Sequence, residues 1–409
     1  MTIAIACLLL LALSVAVYAA GLGSLAVLRR DRRGARLPGF FPPVSIVKPL
    51  SGLDDELDRN LESFYRLDYP SYEIVFSFAR RSDPAFSVAR QVAGRHPEIS
   101  SVFVVDAREP GGNSKVSRLC AGIRRARFRH ILMADGNVRV HREFLARAIS
   151  FFANPSVGLV SHLFRARGAR TIGSRLESLH LNGALRAGTA ALSGILGLPC
   201  VVGKSILVSR EALNAIGGIE SLRDHLAEDY LLGKMVAKAG FRVVLSADEI
   251  GTAEVSRSLA AAWSRQRRWA ILRKRLGGLG YTGELLANPL RWLAGVAVAA
   301  RGEAALVAAG AGLYLLREPH HLAWESAPSR PKHADRAASR PLDAVRRPGP
   351  GGRRAGLGAC PSYSNRLRDG QRIYFGSDGT ACRPRRARRS STVCCASQAA
   401  SPAGGTRRT

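Results

Sequence analysis

Between residues 44 and 135, short apolar runs alternate with segments of helical periodicity. That alternation narrows the possible folds more than any other feature of the chain. VSIVKP (44–49), YEIVFSFA (72–79), SVFVVD (101–106) and HILMAD (130–135) read as strands, the first of them buried. Between them, DDELDRNLESFYRL (54–67) places Leu57, Leu61 and Phe64 on one helical face. PAFSVARQVAGRH (84–96) carries proline in its first turn, and Ser114 to Arg127 reads as a third helix. Strands and helices in this rhythm imply an α/β fold with a mostly parallel, Rossmann-like sheet. Ligands of such sheets bind beyond the carboxyl ends of the strands, where Asp83, Asn113 and Asp135 fall.

The second half continues with a strand near 156–164, a helix near 174–190 and an apolar strip, ALSGILGLPCVVGKSILVS (191–209). EDYLLGKMVAKAG (228–240) follows as an amphipathic helix, then the strand FRVVLS (241–246) and an arginine-rich segment over 263–275. An apolar stretch at 289–316, interrupted by Arg301 and Glu303, reads as a short membrane-associated segment, re-entrant or interfacial.

The N-terminus sets the compartment. Residues 3–28 run 26 residues without a charge, enough to cross a bilayer core of about 30 Å. RRDRRGAR (29–36) follows this run, whereas a cleaved signal peptide carries its positive charges before a shorter one. The expectation is a transmembrane anchor with its basic flank (1–36), and a catalytic domain on the cytoplasmic side of the cell membrane.

Net charge is +30, which points to an anionic partner: nucleic acid, an anionic membrane surface or a phosphorylated substrate. Residues 317–409 hold 18 arginines and one lysine against six acids, so +13 of that charge lies in a segment without apolar periodicity. Such a segment reads as a disordered basic tail or as the out-of-frame product of a GC-rich gene. The globular part has no aromatic-basic recognition module, so nucleic acid is not the expected partner. The seven cysteines show neither CxxC nor Cys/His spacing, and no disulfide framework or zinc site is expected.

Several positions carry candidate chemistry, each with an ordinary structural alternative. Asp83, in RRSDPA, follows a strand but also suits a helix N-cap. Asp135, in ILMADGNVRV, suits a divalent cation bound to a diphosphate; an Asp-Gly turn is the alternative, and Asn137 stands where a second aspartate could be. Glu228-Asp229 open a helix, where acids also belong on dipole grounds; a carboxylate there could serve as general base. GGNSKVSRL (111–119) starts a helix with Asn113 and Lys115, a setting that favours an anion, though it is not a Walker loop. AAWSRQRRWAILRKR (261–275) is a basic run with tryptophans.

Taken in order, these segments resemble the ceramide glucosyltransferase-like family of membrane glycosyltransferases. The resemblance covers roughly residues 40 to 290 and rests on VSIVKPLSGLDDELDRNLESFYRLDYPSYEIVFS, the DP of 83–84, NSK (113–115), ADGNVRV (134–140), AEDY (227–230) and RQRRW (265–269). Within the family the chain is most similar to the bacterial branch that glycosylates hopanoids. The resemblance implies a GT-A fold over 37–288. It implies that Asp83 meets the nucleotide, that Asn113 and Lys115 lie near its phosphates, and that Asp135 holds a metal-diphosphate with Mg2+ or Mn2+. It further implies that Asp229 is the base, beside Glu228, and that Arg265, Arg268 and Trp269 close over the diphosphate and acceptor. Cys200 matches a family cysteine near the donor site, with a buried structural thiol as the alternative. The implied reaction is an inverting transfer of glucose or N-acetylglucosamine from a UDP-sugar to a lipid alcohol, a hopanoid or ceramide. Two other readings stay open: a processive synthase of the cellulose or hyaluronan type, and a basic nucleic-acid-binding membrane protein.

Overall fold

The computed structural model describes residues 2–33, 39–108, 111–277, 289–300, 303–317 and the backbone of 372–374. The strands are β1 (Val44–Pro49), β2 (Tyr72–Phe78), β3 (Ser100–Val105), β4 (His130–Ala134), β5 (Val138–Arg139), β6 (Val157–Arg167), β7 (Ser205–Ser209), β8 (Arg242–Ala253) and β9 (Arg372–Tyr374). They form one sheet in the order β5-β8-β6-β7-β4-β1-β2-β3-β9. β4, β1, β2 and β3 are parallel neighbours, as are β6 and β8; β7 enters antiparallel between β4 and β6. The sheet is therefore mixed but mostly parallel, as the strand–helix rhythm requires.

Helices cover both faces. Leu57, Leu61 and Phe64 of α2 (Leu57–Tyr65) and Phe86 of α3 (Pro84–Gly94) pack with Ile46, Ile74 and Phe76 on one face. Val116 and Leu119 of α4 (Ser114–Arg125) and Leu232 and Val236 of α9 (Glu228–Lys238) pack with Val47, Val75 and Ile131 on the other. Successive strand residues alternate between these two cores, so every residue of β1, β2 and β4 is buried. α5 (Phe144–Ile149) joins the first core and α8 (Arg210–Ala215) the second.

Two segments differ from the sequence reading. β8 runs to Ala253 rather than ending at 246. Its polar continuation is kept in the sheet by pairing with β6 and by ionic partners for Asp248 and Glu249. The helix expected at 174–190 is α6 (Ile172–His180) and α7 (Arg186–Gly194), joined by a wider π-turn at Leu181–Leu185.

The N-terminal helix α1 (Thr2–Arg33) contains a 28-residue stretch, Thr2–Arg29, long and apolar enough to cross a membrane. It packs against α7 and against two short apolar helices, Pro289–Ala299 and Ala304–Arg317. Small residues permit this: a Cβ on Gly21 would lie 2.5 Å from the Ala187 carbonyl oxygen, and one on Gly295 would lie 2.7 Å from Cys7 Sγ. Arg29 at the helix end, Arg165 of β6 and Arg186 of α7 converge on Glu249, tying the helix to the sheet. The tail reading for 317–409 falls, apart from Arg317 and the β9 backbone, outside the described residues.

Candidate active site

The β4–β7 ladder builds the centre of the site. Its last pair is Ala134 with Ser205, and the Asp135 N–H continues it by donating to the Lys204 carbonyl at 3.2 Å. The ladder thus sets Lys204 opposite Asp135. Its Nζ lies 3.3 Å from Asp135 Oδ2 and donates to Asn137 Oδ1 at 3.0 Å. The start of α4 supplies a second lysine. Asn113 caps this helix, its Oδ1 accepting from the N–H groups of Lys115 and Val116 at 3.0 and 3.3 Å. Its Nδ2 donates to the His225 carbonyl at 2.8 Å and to Glu228 Oε2 at 3.3 Å, which joins α4 to α9. Lys115 Nζ lies 3.0 Å from both Asp135 Oδ1 and Glu228 Oε1, and donates to the Gly203 carbonyl at 2.9 Å. Lys48 reaches in from β1, fully buried over the Phe64 ring, and donates to the Asp135 carbonyl at 2.9 Å.

These placements separate the ionisation of the groups. Burial pushes the Asp135 carboxyl up, but Lys115 and Lys204 outweigh it and hold its pKa below the ordinary aspartate value. Burial alone would lower Lys115; Asp135, Glu228 and Asp229 together raise it, so it stays charged. Lys48 is pulled down to about 7 by burial, against the opposing pull of Asp135 and Asp54. Asp229 is raised, first by burial and then by the neighbouring Glu228 carboxylate, with Lys115 opposing. A carboxylate with an elevated pKa beside a chain of fixed ammonium groups can accept a proton while the ammonium groups meet a leaving anion.

The remaining expected residues are placed less uniformly. Asp83 acts as the N-cap of α3, accepting from the Ala85 N–H at 2.9 Å, and also accepts from the Gly52 N–H at 3.0 Å. It thereby ties the loop after β1 to the loop after β2. Arg265, expected on the diphosphate, lies on α10 (Leu259–Gly277) and faces two carboxylates. Its guanidinium lies 3.1 Å from Glu177 Oε1 and 3.3 Å from Glu254 Oε2, and is stacked under Trp269 at 4.7 Å. Glu177 and Glu254 are both buried, and Arg257 pairs with each. Two internal carboxylates hold that arginine by charge, which fixes α10 rather than leaving the group open to an anion. Arg268 is exposed on the same helix and Trp269 is half-buried. Cys200 is half-buried, and burial pushes its thiol up to about 11, so it is not a thiolate.

Four residues outside the sequence-derived set are central: Lys48, Lys204, Glu177 and Glu254. Lys48 and Lys204 were visible as single charges inside apolar runs, VSIVKP and the strip 191–209. Glu254 links the two halves of the site. Its Oε1 accepts from Asn137 Nδ2 at 3.3 Å, so the chain Asp135–Lys204–Asn137–Glu254–Arg265 is continuous.

The donor set at Asp135 does not fit the expected divalent cation. Each Asp135 oxygen already faces a lysine ammonium, so a cation on either one would meet a charge of the same sign. Among the described residues no group of three or more His, Cys, Asp or Glu side chains is placed to hold a metal ion.

The sequence model of glycosyl transferase family 21 matches residues 7–325. Ceramide glucosyltransferase 1 of Caenorhabditis elegans is 28% identical over 234 residues, 57% of this chain and 50% of that protein. The ceramide glucosyltransferase of Komagataella phaffii is 25% identical over 204 residues, covering 45% and 40% of the two chains. The chain spans about half the length of the two Caenorhabditis elegans relatives. Among solved structures, a mannosyltransferase from Pyrobaculum calidifontis in complex with GDP-Man and Mn2+ is similar at a TM-score of 0.48 and 23% identity. That match covers 77% of this chain and 94% of the other.

Proposed function

The chain belongs to glycosyl transferase family 21, with the GT-A type of α/β fold, and on that premise we propose that it is a membrane-bound transferase that moves a sugar from a UDP-sugar to a lipid alcohol. The observation that carries this reading is the convergence on Lys115. Its ammonium joins the end of β4, the start of α9 and the loop before β7 through Asp135, Glu228 and Gly203, all within 3.0 Å. Asp229 borders the same loop, since a Cβ on Gly203 would lie 2.7 Å from its Oδ2.

Asp229 takes the proton of the acceptor hydroxyl as that oxygen attacks the anomeric carbon, and its raised pKa suits it to this. Lys115 and Lys204 meet the negative charge that grows on the departing diphosphate; they are fixed before the reaction and need no reorganisation. One carboxylate and one displacement give inversion. No step runs through the cation expected at Asp135.

Ceramide is the first acceptor to test, because the curated relatives are ceramide glucosyltransferases. A hopanoid polyol is the second, on the sequence resemblance. The apolar stretch Thr2–Arg29 supports a reaction at a membrane, and the positive charges that follow it support a catalytic domain on the cytoplasmic face. The test is transfer of radiolabel from UDP-glucose and UDP-N-acetylglucosamine to each lipid by membranes carrying the full chain, beside Asp229→Asn. A labelled lipid lost in the variant supports the reading. A growing polymer would support the processive alternative, and no label in lipid from either donor would reject the proposal.

A further inference from the structure

Lys204 is the one charged residue in the apolar strip 191–209. The β4–β7 ladder fixes its backbone against Asp135, so its position follows from the sheet register. Its ammonium, 15% exposed, bridges Asp135 Oδ2 and Asn137 Oδ1 at 3.3 and 3.0 Å. Two carboxylates spaced D-x-D with one dication are neutral as a group. Here the second position is the amide of Asn137, and the Lys204 ammonium bridges it to Asp135. A lysine thus puts a fixed cation between the two residues where a pair of acids would put a dication.

From this we propose that Lys204 is a donor-binding residue, a built-in cation for the nucleoside diphosphate, so that nucleotide binding by this chain persists when divalent ions are removed. This rests on the glycosyltransferase reading. Lys115 cannot do the same alone, because its ammonium is shared between Asp135, Glu228 and the Gly203 carbonyl. The contacts of Lys204 Nζ within 3.3 Å are Asp135 Oδ2 and Asn137 Oδ1, and an ammonium carries three donors, so a phosphate oxygen can take the third. An ammonium is a compact charge that serves a phosphate as a point cation.

The test is UDP binding by calorimetry to the full chain in detergent, in EDTA and in Mn2+, for the wild type, Lys204→Met and Lys204→Arg. The wild type should bind UDP in EDTA nearly as well as in Mn2+. Lys204→Met should bind about 10- to 100-fold more weakly in EDTA, the worth of one hydrogen bond to a charged group. Lys204→Arg should recover most of that loss. Mn2+ should restore binding to Lys204→Met, which also shows that the variant is folded. Wild-type binding only in Mn2+, or equal binding of Lys204→Met and wild type in EDTA, overturns the inference and leaves the transferase reading standing. No UDP binding by the wild type in either buffer overturns both.

Discussion

Gly203→Ala tests whether Asp229 acts through its position. The φ of Gly203 lies outside the left-handed region, so alanine is compatible with the backbone. The new Cβ would lie 2.7 Å from Asp229 Oδ2, 3.2 Å from its Cγ and 3.3 Å from its Cβ. Ordinary contacts begin at 3.4 Å, so the carboxylate must retreat by about 0.7 Å. The methyl meets the end of one short side chain, not the core, and the stability cost should stay near 1 kcal/mol. A displacement of about 1 Å in a reacting group costs roughly 100-fold in rate. The expected result is a fall in kcat of about 10- to 100-fold, or roughly 1.4 to 2.7 kcal/mol in the barrier. UDP affinity should change little, because the lysines are not displaced. The assay is transfer kinetics with calorimetric UDP binding and a melting curve on the same preparation. Wild-type kcat in a folded Gly203→Ala protein would refute Asp229 as the base.

Asp229→Asn should abolish transfer while UDP still binds, and the acid limb of the wild-type kcat/KM profile should lie above the ordinary aspartate range, because burial and Glu228 raise Asp229; a limb at or below that range would count against the assignment. His130 gives a stability prediction away from the site. Burial and Arg129 lower it from 6.5 to about 4, against Glu211, so as pH falls the unfolded chain takes up this proton first. Stability is lost between about pH 6.5 and 4, by about 3 kcal/mol at most. Denaturant midpoints across that window should flatten in His130→Phe, and an unchanged slope would refute the cause. Arg265→Gln should destabilise by about 3 kcal/mol, the low end for breaking a buried ion pair, because Arg257 stays with the two acids. Arg268→Gln should leave the melting temperature unchanged and lower kcat/KM; equal destabilisation by both variants would remove the distinction between them.

The first half of the fold was legible because its elements are sequential: β1 to β4 and the helices between them each declare themselves by periodicity, and neighbours in sequence pack together. The second half required knowing which strand lies beside which. β7 pairs with β4 from about seventy residues downstream, and only that antiparallel insertion puts Lys204 on Asp135. β8 hid its last seven residues because Asp248 and Glu249 look like loop residues until His141, Arg147 and Arg165 are seen beside them. Glu254, one residue past that strand, was hidden with it. Asn113, Lys115, Asp135 and Glu228 were found because each sits at the end of an element the pattern could place, and the structure brings these four together.

The arginine–tryptophan segment shows how a motif divides its work once partners are known. By sequence, Arg265 and Arg268 are equivalent charges one helical turn apart. In the structure they are not. Arg265 faces two carboxylates with almost no access to water, and in so doing holds α10 against Glu254. Glu254 in turn holds Asn137, and Asn137 holds Lys204. The first arginine is therefore linked to Lys204 through two intermediaries, Glu254 and Asn137. Arg268 is exposed, and an exposed guanidinium on a helix fixed in this way loses little on meeting a phosphate. Of these two arginines, Arg268 is therefore the one left open to meet a ligand directly.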